Sequence, residues 1–182
     1  MNSVEIKRIV KLAKPFSETV FRSTALKYAK PDMIISGAGS AKTGARWNPK
    51  GLNSLYGSFT PDAAMAETLA YFRYYSIPVH TAMPRTFVAI RMKLKKVLDL
   101  TNAAVHRAGK FSDSDYVNVD WHRDVDANRQ PSTQNFGSKV FEEGLEGLIF
   151  ASAAAENEKN IVCFVDNLHR SSSIEVLSAD QL

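Results

Sequence analysis

The tightest constraint on this chain lies near its C-terminal end. Two apolar runs, residues 148–152 (Leu-Ile-Phe-Ala-Ser) and 160–166 (Asn-Ile-Val-Cys-Phe-Val-Asp), are joined by a short polar link. Runs of this length, without alternation and rich in branched and aromatic residues, read as central strands whose two faces are both covered. The rest of the chain must then supply a layer on each side of a sheet. Its 182 residues are 45% hydrophobic and 23% charged. That is enough for one continuous core, and disorder is not the expectation.

The remaining elements follow from spacing and punctuation. Ile6, Ile9, Val10 and Ala13 fall at helical spacing, and Pro15 closes that stretch. Residues 19–24 are rich in β-branched side chains and read as a short strand. Residues 28–50 carry Pro31, Gly37, Gly39, Gly44 and Pro49 around Ile34, Ile35 and Trp47, as expected of an irregular functional loop packed on a scaffold. Residues 52–59 are a second strand. Thr60-Pro61-Asp62 then opens a helix with a hydroxyl cap, a proline in the first turn and an acid, and Pro78 stops it.

Residues 85–94 read as a strand that 97–100 continues after a bend. Residues 101–132 are a polar excursion with short helices at most. A helix over 133–143 ends at Gly144, and 174–177 form an edge strand. The sum is an α+β domain: mainly β, with helices on its flanks.

Charge and cysteine usage exclude little. The formal charge of +4 and a pI near 9.2 suit an anionic ligand and equally suit nucleic acid. The lone Cys163 lies in an apolar run and reads as a buried thiol, and a single cysteine permits no internal disulfide. No apolar leader follows the N-terminus, and no run approaches the ~18 apolar residues of a membrane span. A cytoplasmic location is expected. His80, His106, His122 and His169 have no metal-like spacing with one another or with Cys163, so no metal is expected. There is neither a phosphate-loop lysine motif nor a dinucleotide-binding Gly-x-Gly-x-x-Gly after a strand.

Four places carry residues fit for chemistry. In Gly44-Ala45-Arg46-Trp47-Asn48-Pro49-Lys50-Gly51, Arg46 offers the planar fork of donors that matches a phosphate, or else stacks on Trp47 at the surface. Tyr56 shares a strand face with Leu52, Ser54 and Ser58, whereas Leu55 and Phe59 face the core; it covers a ligand ring or is simply half-buried. Glu67 lies on a helical face with Ala63, Ala64, Ala70 and Tyr71, without a basic partner at helical spacing. A carboxylate on so small and apolar a face is costly unless a ligand or strand approaches closely. Ser152, at a strand end before Ala153, caps the next turn or contacts a ligand.

The order of these pieces resembles the RES-domain family, named for its Arg, Glu and Ser. Arg22 comes first, then Gly44-Ala45-Arg46-Trp47-Asn48, Leu55-Tyr56, Ala63-Ala64-Met65-Ala66-Glu67, Leu148-Ile149-Phe150-Ala151-Ser152-Ala153 and Asn160-Ile161-Val162. The resemblance implies one domain over 1–182 with a motif-bearing core at about 20–166, and an ADP-ribosyltransferase-like mixed β core with flanking helices. It implies NAD as substrate, cleaved at the nicotinamide–ribose bond by hydrolysis or phosphorolysis, with no cofactor besides. It also implies a cognate antitoxin carrying a helix-turn-helix domain, through which alone nucleic acid would be met. Arg46, Glu67 and Ser152 match the family's catalytic positions; Arg22, Tyr28, Trp47, Tyr56 and Asn160 are the expected substrate contacts. Ala45 and Ala151 stand where the family usually has glycine and proline, and 95–131 is longer than in compact members. The alternatives are a protein ADP-ribosyltransferase using the same site, and a non-enzymatic nucleic-acid-binding module built on Arg85, Arg91, Lys93, Lys95 and Lys96.

Overall fold

The computed structural model describes residues 3–177, so both ends of the expected 1–182 domain lie outside the described residues. Six strands form one mixed sheet: β1 (Lys14–Ala25), β2 (Ser54–Ser58), β3 (Arg85–Asp99), β4 (Gly147–Ala151), β5 (Lys159–Phe164) and β6 (Ser173–Val176). Helices α1 (Ser3–Val10), α2 (Pro31–Ile35), α3 (Ala38–Thr43) and α4 (Pro61–Tyr74) precede β3. Helices α5 (Ala103–Gly109), α6 (Ser114–Val117), α7 (Trp121–Asp126) and α8 (Ser132–Glu142) lie between β3 and β4. Those two strands are parallel, and a parallel pair requires a long crossover of this kind. The fold is the expected mixed β core with flanking helices.

Strands β1, β2, β5, β4 and β3 close into a ring, because β1 pairs antiparallel with β3 along almost its whole length. The seam between β1 and β2 is held by one residue pair, Phe21 with Ser58. Strand β6 lies on the other edge of β3.

Alternation along β5 explains why residues 161–164 are all apolar. Val162 and Phe164 enter one core with Ile6, Ile9, Trp47, Leu98 and Leu148, whereas Ile161 and Cys163 enter a second with Val20, Leu55, Ile90 and Met92. Strand β4 splits likewise, with Leu148 and Phe150 on one side and Ile149 on the other. Both runs are thus two-faced central strands, as their composition requires. Burial pushes the Cys163 thiol up, as befits a core residue.

Several expectations are corrected. The segment 28–50 is not irregular throughout, since α2 and α3 occupy it and Ile34 is buried in the second core. Pro15 does not precede the first strand but lies within it. A register shift between Lys14 and Phe16 leaves Pro15 out of the ladder, where its missing N–H costs nothing. Residues 85–99 form one continuous strand in which the expected bend is that irregularity opposite β1. Tyr56 packs against the first core while Leu55 enters the second, so both faces of β2 are covered.

The helix start is as read from the sequence: Thr60 Oγ1 accepts from the Ala63 N–H at 3.1 Å and Pro61 stands in the first turn. Gly144, at φ +78°, follows the end of α8.

Candidate active site

The turn bearing Arg46 is closed by paired backbone bonds, Ala45 N–H to Asn48 O at 2.9 Å and Asn48 N–H to Ala45 O at 3.4 Å. Its two tip residues go opposite ways. Trp47 is fully buried in the first core against Tyr116, Phe136 and Phe150, whereas Arg46 lines a cleft of about 770 Å³. Asn48 keys the turn from below. Its Nδ2 donates to the carbonyls of Ser40, Pro49 and Leu52, each at 3.1 Å. Its Oδ1 accepts from the Tyr56 hydroxyl at 2.8 Å, and that hydroxyl accepts from the Trp47 N–H at 3.0 Å. Burial drives the Tyr56 phenol well above its ordinary range, so it stays a neutral donor.

The cleft lining includes three arginines. Arg46 Nη1 donates to the carbonyls of Tyr116 at 2.7 Å and Val119 at 3.2 Å, leaving its other donors uncommitted by these bonds. Burial lowers its pKa while the nearby Glu67 carboxylate opposes that shift, and a guanidinium remains charged throughout. Arg22 Nη1 reaches across the β1–β2 seam to the Tyr56 carbonyl at 3.0 Å. Burial first, then the charge of Arg85, lowers the Arg22 pKa. Arg85 fixes itself on Ser23, through Nε to Oγ at 2.7 Å and Nη2 to the carbonyl at 2.8 Å. All three arginines line the cleft.

Two carboxylates also line the cleft, Asp120 and the half-buried Glu67. Glu67 Oε1 accepts from Ser152 Oγ and from Asn160 Nδ2, both at 2.6 Å, short distances typical of charge-assisted bonds. Ser152 Oγ also accepts from the N–H groups of Ala154 at 3.1 Å and Ala155 at 3.0 Å. A hydroxyl has one proton, and these two donors commit it to Glu67. Ser152 thus takes the capping role expected of it after β4 and, in addition, orients the Glu67 carboxylate. The buried Ala63 and Ala64 let α4 lie close enough to the strands for Glu67 to reach both partners.

Of the residues singled out from sequence, Arg22, Arg46, Tyr56, Glu67 and Asn160 share the cleft wall. Ser152 stands behind Glu67. Two expectations are corrected. Trp47 is 1% exposed and cannot contact a ligand in the cleft, because the turn that aims Arg46 outward aims its neighbour inward. Tyr28, 49% exposed after β1 with Lys27 over its ring, does not line the cleft.

Sequence reasoning missed three features. Arg85 reads as a solvated strand end, and only the β1–β3 register brings it beside Arg22. Tyr116, which holds Arg46, lies in the polar excursion. So does His122, which meets Tyr71, Tyr74 and Tyr75 at the end of α4, with Trp121 against its own ring; of these, Tyr71, Tyr74, Trp121 and His122 line the cleft. His122 stacks on Tyr74 at 4.5 Å between centroids, and its Nδ1 lies 3.1 Å from the Tyr75 hydroxyl. The one available signal was the tyrosine density at 71–75. Of the basic strand, Arg85 turns into the cleft and Arg91 pairs with Glu175 at 3.5 Å, while Lys93, Lys95 and Lys96 are exposed.

A model of the RES domain matches residues 19–181. Among solved structures, the crystal structure of the M. tuberculosis MbcT–MbcA toxin–antitoxin complex contains a similar chain, with a TM-score of 0.72 and 20% identity. The match covers 97% of this chain and 91% of that one. At this identity the likeness is one of fold. A comparison with curated proteins finds no match.

Proposed function

The chain belongs to the RES-domain family, and on that premise we propose that it is the toxin of a toxin–antitoxin pair, acting in the cytoplasm by cleaving the nicotinamide–ribose bond of NAD. The observation that carries this reading is one cleft lined by three arginines together with Glu67, which Ser152 and Asn160 clamp.

NAD is an anion whose leaving group, nicotinamide, departs neutral. Guanidinium forks suit its diphosphate. Breaking the C1′–N bond sends the electron pair to the nicotinamide nitrogen and leaves positive charge on the ribose, as in other glycoside cleavages. Glu67 Oε1 is taken up by Ser152 and Asn160, so Oε2 is the oxygen offered to the sugar, where it holds a hydroxyl and stabilises the developing cation. Water or phosphate then adds to C1′ and releases its proton to solvent. The similarity to a chain solved within a toxin–antitoxin complex supports a cognate antitoxin as partner, and the helix-turn-helix type of that antitoxin is part of the proposal.

The test is incubation of the purified chain with NAD, with and without inorganic phosphate, and identification of the products. Nicotinamide should be released together with ADP-ribose or its 1-phosphate. Glu67→Ala and Arg46→Ala should each lower the rate by roughly 100-fold or more. Unchanged turnover in both variants overturns the site. Transfer of label from NAD to protein rather than to small products would make it an ADP-ribosyltransferase instead.

A further inference from the structure

The face of α4 that carries Glu67 continues into aromatic residues. Tyr71 and Tyr74 follow Glu67 by four and seven positions, on the same helical face, and so lie about 6 and 10 Å further along its axis. Beside them α7 supplies Trp121 and His122. The His122 ring stacks on Tyr74 at 4.5 Å between centroids with 29° between planes, and Trp121 lies 3.6 Å from it at 31°. All four side chains line the cleft. They are not core: Tyr71 and Tyr74 are 48% and 43% exposed, and Trp121 and His122 are half-buried.

Charge orders the same cleft. Arg46 feels the Glu67 carboxylate, and His122 in turn feels the Arg46 charge. A carboxylate, a guanidinium and an aromatic cluster thus follow one another. Asp120, which takes the Tyr74 hydroxyl at 2.9 Å, adds negative charge at the aromatic end and disfavours a phosphate there. A dinucleotide cleaved at one ribose has the matching order: reacting ribose, diphosphate, second nucleoside.

We propose that Tyr71, Tyr74, Trp121 and His122 form a nucleobase subsite, which stacks the base at the far end of the dinucleotide and favours ligands that carry a base beyond the diphosphate. The subsite rests on the dinucleotide reading of the cleft and names what holds the half of the ligand that Glu67 does not touch. Aromatic side chains recognise the π face of a base, an interaction worth roughly 5- to 100-fold in affinity. Exposed rings gain most from it, since stacking takes their apolar surface out of water.

The probe is ADP, with inorganic pyrophosphate as the base-free control, each titrated calorimetrically into the full-length chain. ADP should bind roughly tenfold more tightly or better. Tyr74→Leu should remove most of that preference and leave pyrophosphate affinity within about twofold, whereas a merely structural part for Tyr74 would weaken both ligands alike. Tyr74→Phe, which keeps the ring and loses the hydroxyl bond to Asp120, should retain the preference. Tyr71→Leu gives the same comparison should Tyr74→Leu fail to fold. Equal affinity of the unaltered chain for ADP and pyrophosphate, no loss of preference in Tyr74→Leu, or the same loss in Tyr74→Phe overturns the subsite. A preference for ADP without nicotinamide release from NAD leaves the subsite standing and overturns the cleavage reading; nicotinamide release without that preference does the reverse.

Discussion

Glu67 shows how much a single side chain depends on its partners. Both hydrogen bonds fall on Oε1, one from a hydroxyl and one from an amide. A hydrogen bond to a charged group is worth roughly 1.5–3 kcal/mol. Ser152→Ala and Asn160→Ala should therefore each reduce kcat/KM for nicotinamide release by about 10- to 100-fold, less than Glu67→Ala does, with binding of NAD less affected than turnover. A loss equal to that of Glu67→Ala in Ser152→Ala alone would instead give the serine a direct part in the chemistry.

His122 carries the pH dependence at this scale. Burial first, and then the Arg46 charge, hold its pKa below the ordinary 6.5, against the pull of Asp120 and Asp126. The fold thus favours the neutral ring. Its contribution is intact above pH 6.5 and is lost as the pH falls through the lowered folded value. Titration of its ring resonances should show a midpoint below 6.5, and Arg46→Gln should raise that midpoint.

At the scale of elements, the helix opposite the Arg46 turn decides where that turn sits. A Cβ placed on Gly137 of α8 would lie 1.7 Å from the Trp47 carbonyl oxygen, a backbone atom that cannot swing aside. Only glycine lets α8 approach this closely, and Gln134, one turn earlier, then donates to the Ala45 carbonyl at 2.9 Å. Gly137→Ala should destabilise the chain by roughly 3 kcal/mol, at the upper end for overpacking, as read by urea unfolding. Gly39→Ala, where nothing lies within 4 Å, should change stability little and so serves as the control. The cap at Thr60 is a more ordinary feature, and Thr60→Ala should cost about 1 kcal/mol.

For the whole molecule, the weak point of the ring is the β1–β2 seam, where one residue pair is supplemented by the Arg22 bond to the Tyr56 carbonyl. Arg22 is thus both a cleft cation and a clasp on the sheet. Arg22→Met should lower global stability by roughly 1.5–3 kcal/mol, the worth of a hydrogen bond from a charged donor. Amide exchange should accelerate in β2 before it does in β4. Uniform acceleration in both strands would mean that the clasp has no local role.

The sequence by itself determined the elements whose signals are local. The apolar runs of β4 and β5 and the Thr60-Pro61-Asp62 helix start are each legible within a dozen residues, because burial on both faces and capping leave compositional traces, and the order of Arg46, Glu67 and Ser152 is legible along the chain as a motif. Tertiary structure alone decided the rest. It turned Trp47 inward while Arg46 faces the cleft, brought Arg85 beside Arg22 through the β1–β3 register, and set Ser152 and Asn160 onto one oxygen of Glu67. These are contacts between segments distant in the chain, and register, ring closure and helix approach are set by packing rather than by any residue's neighbours in sequence.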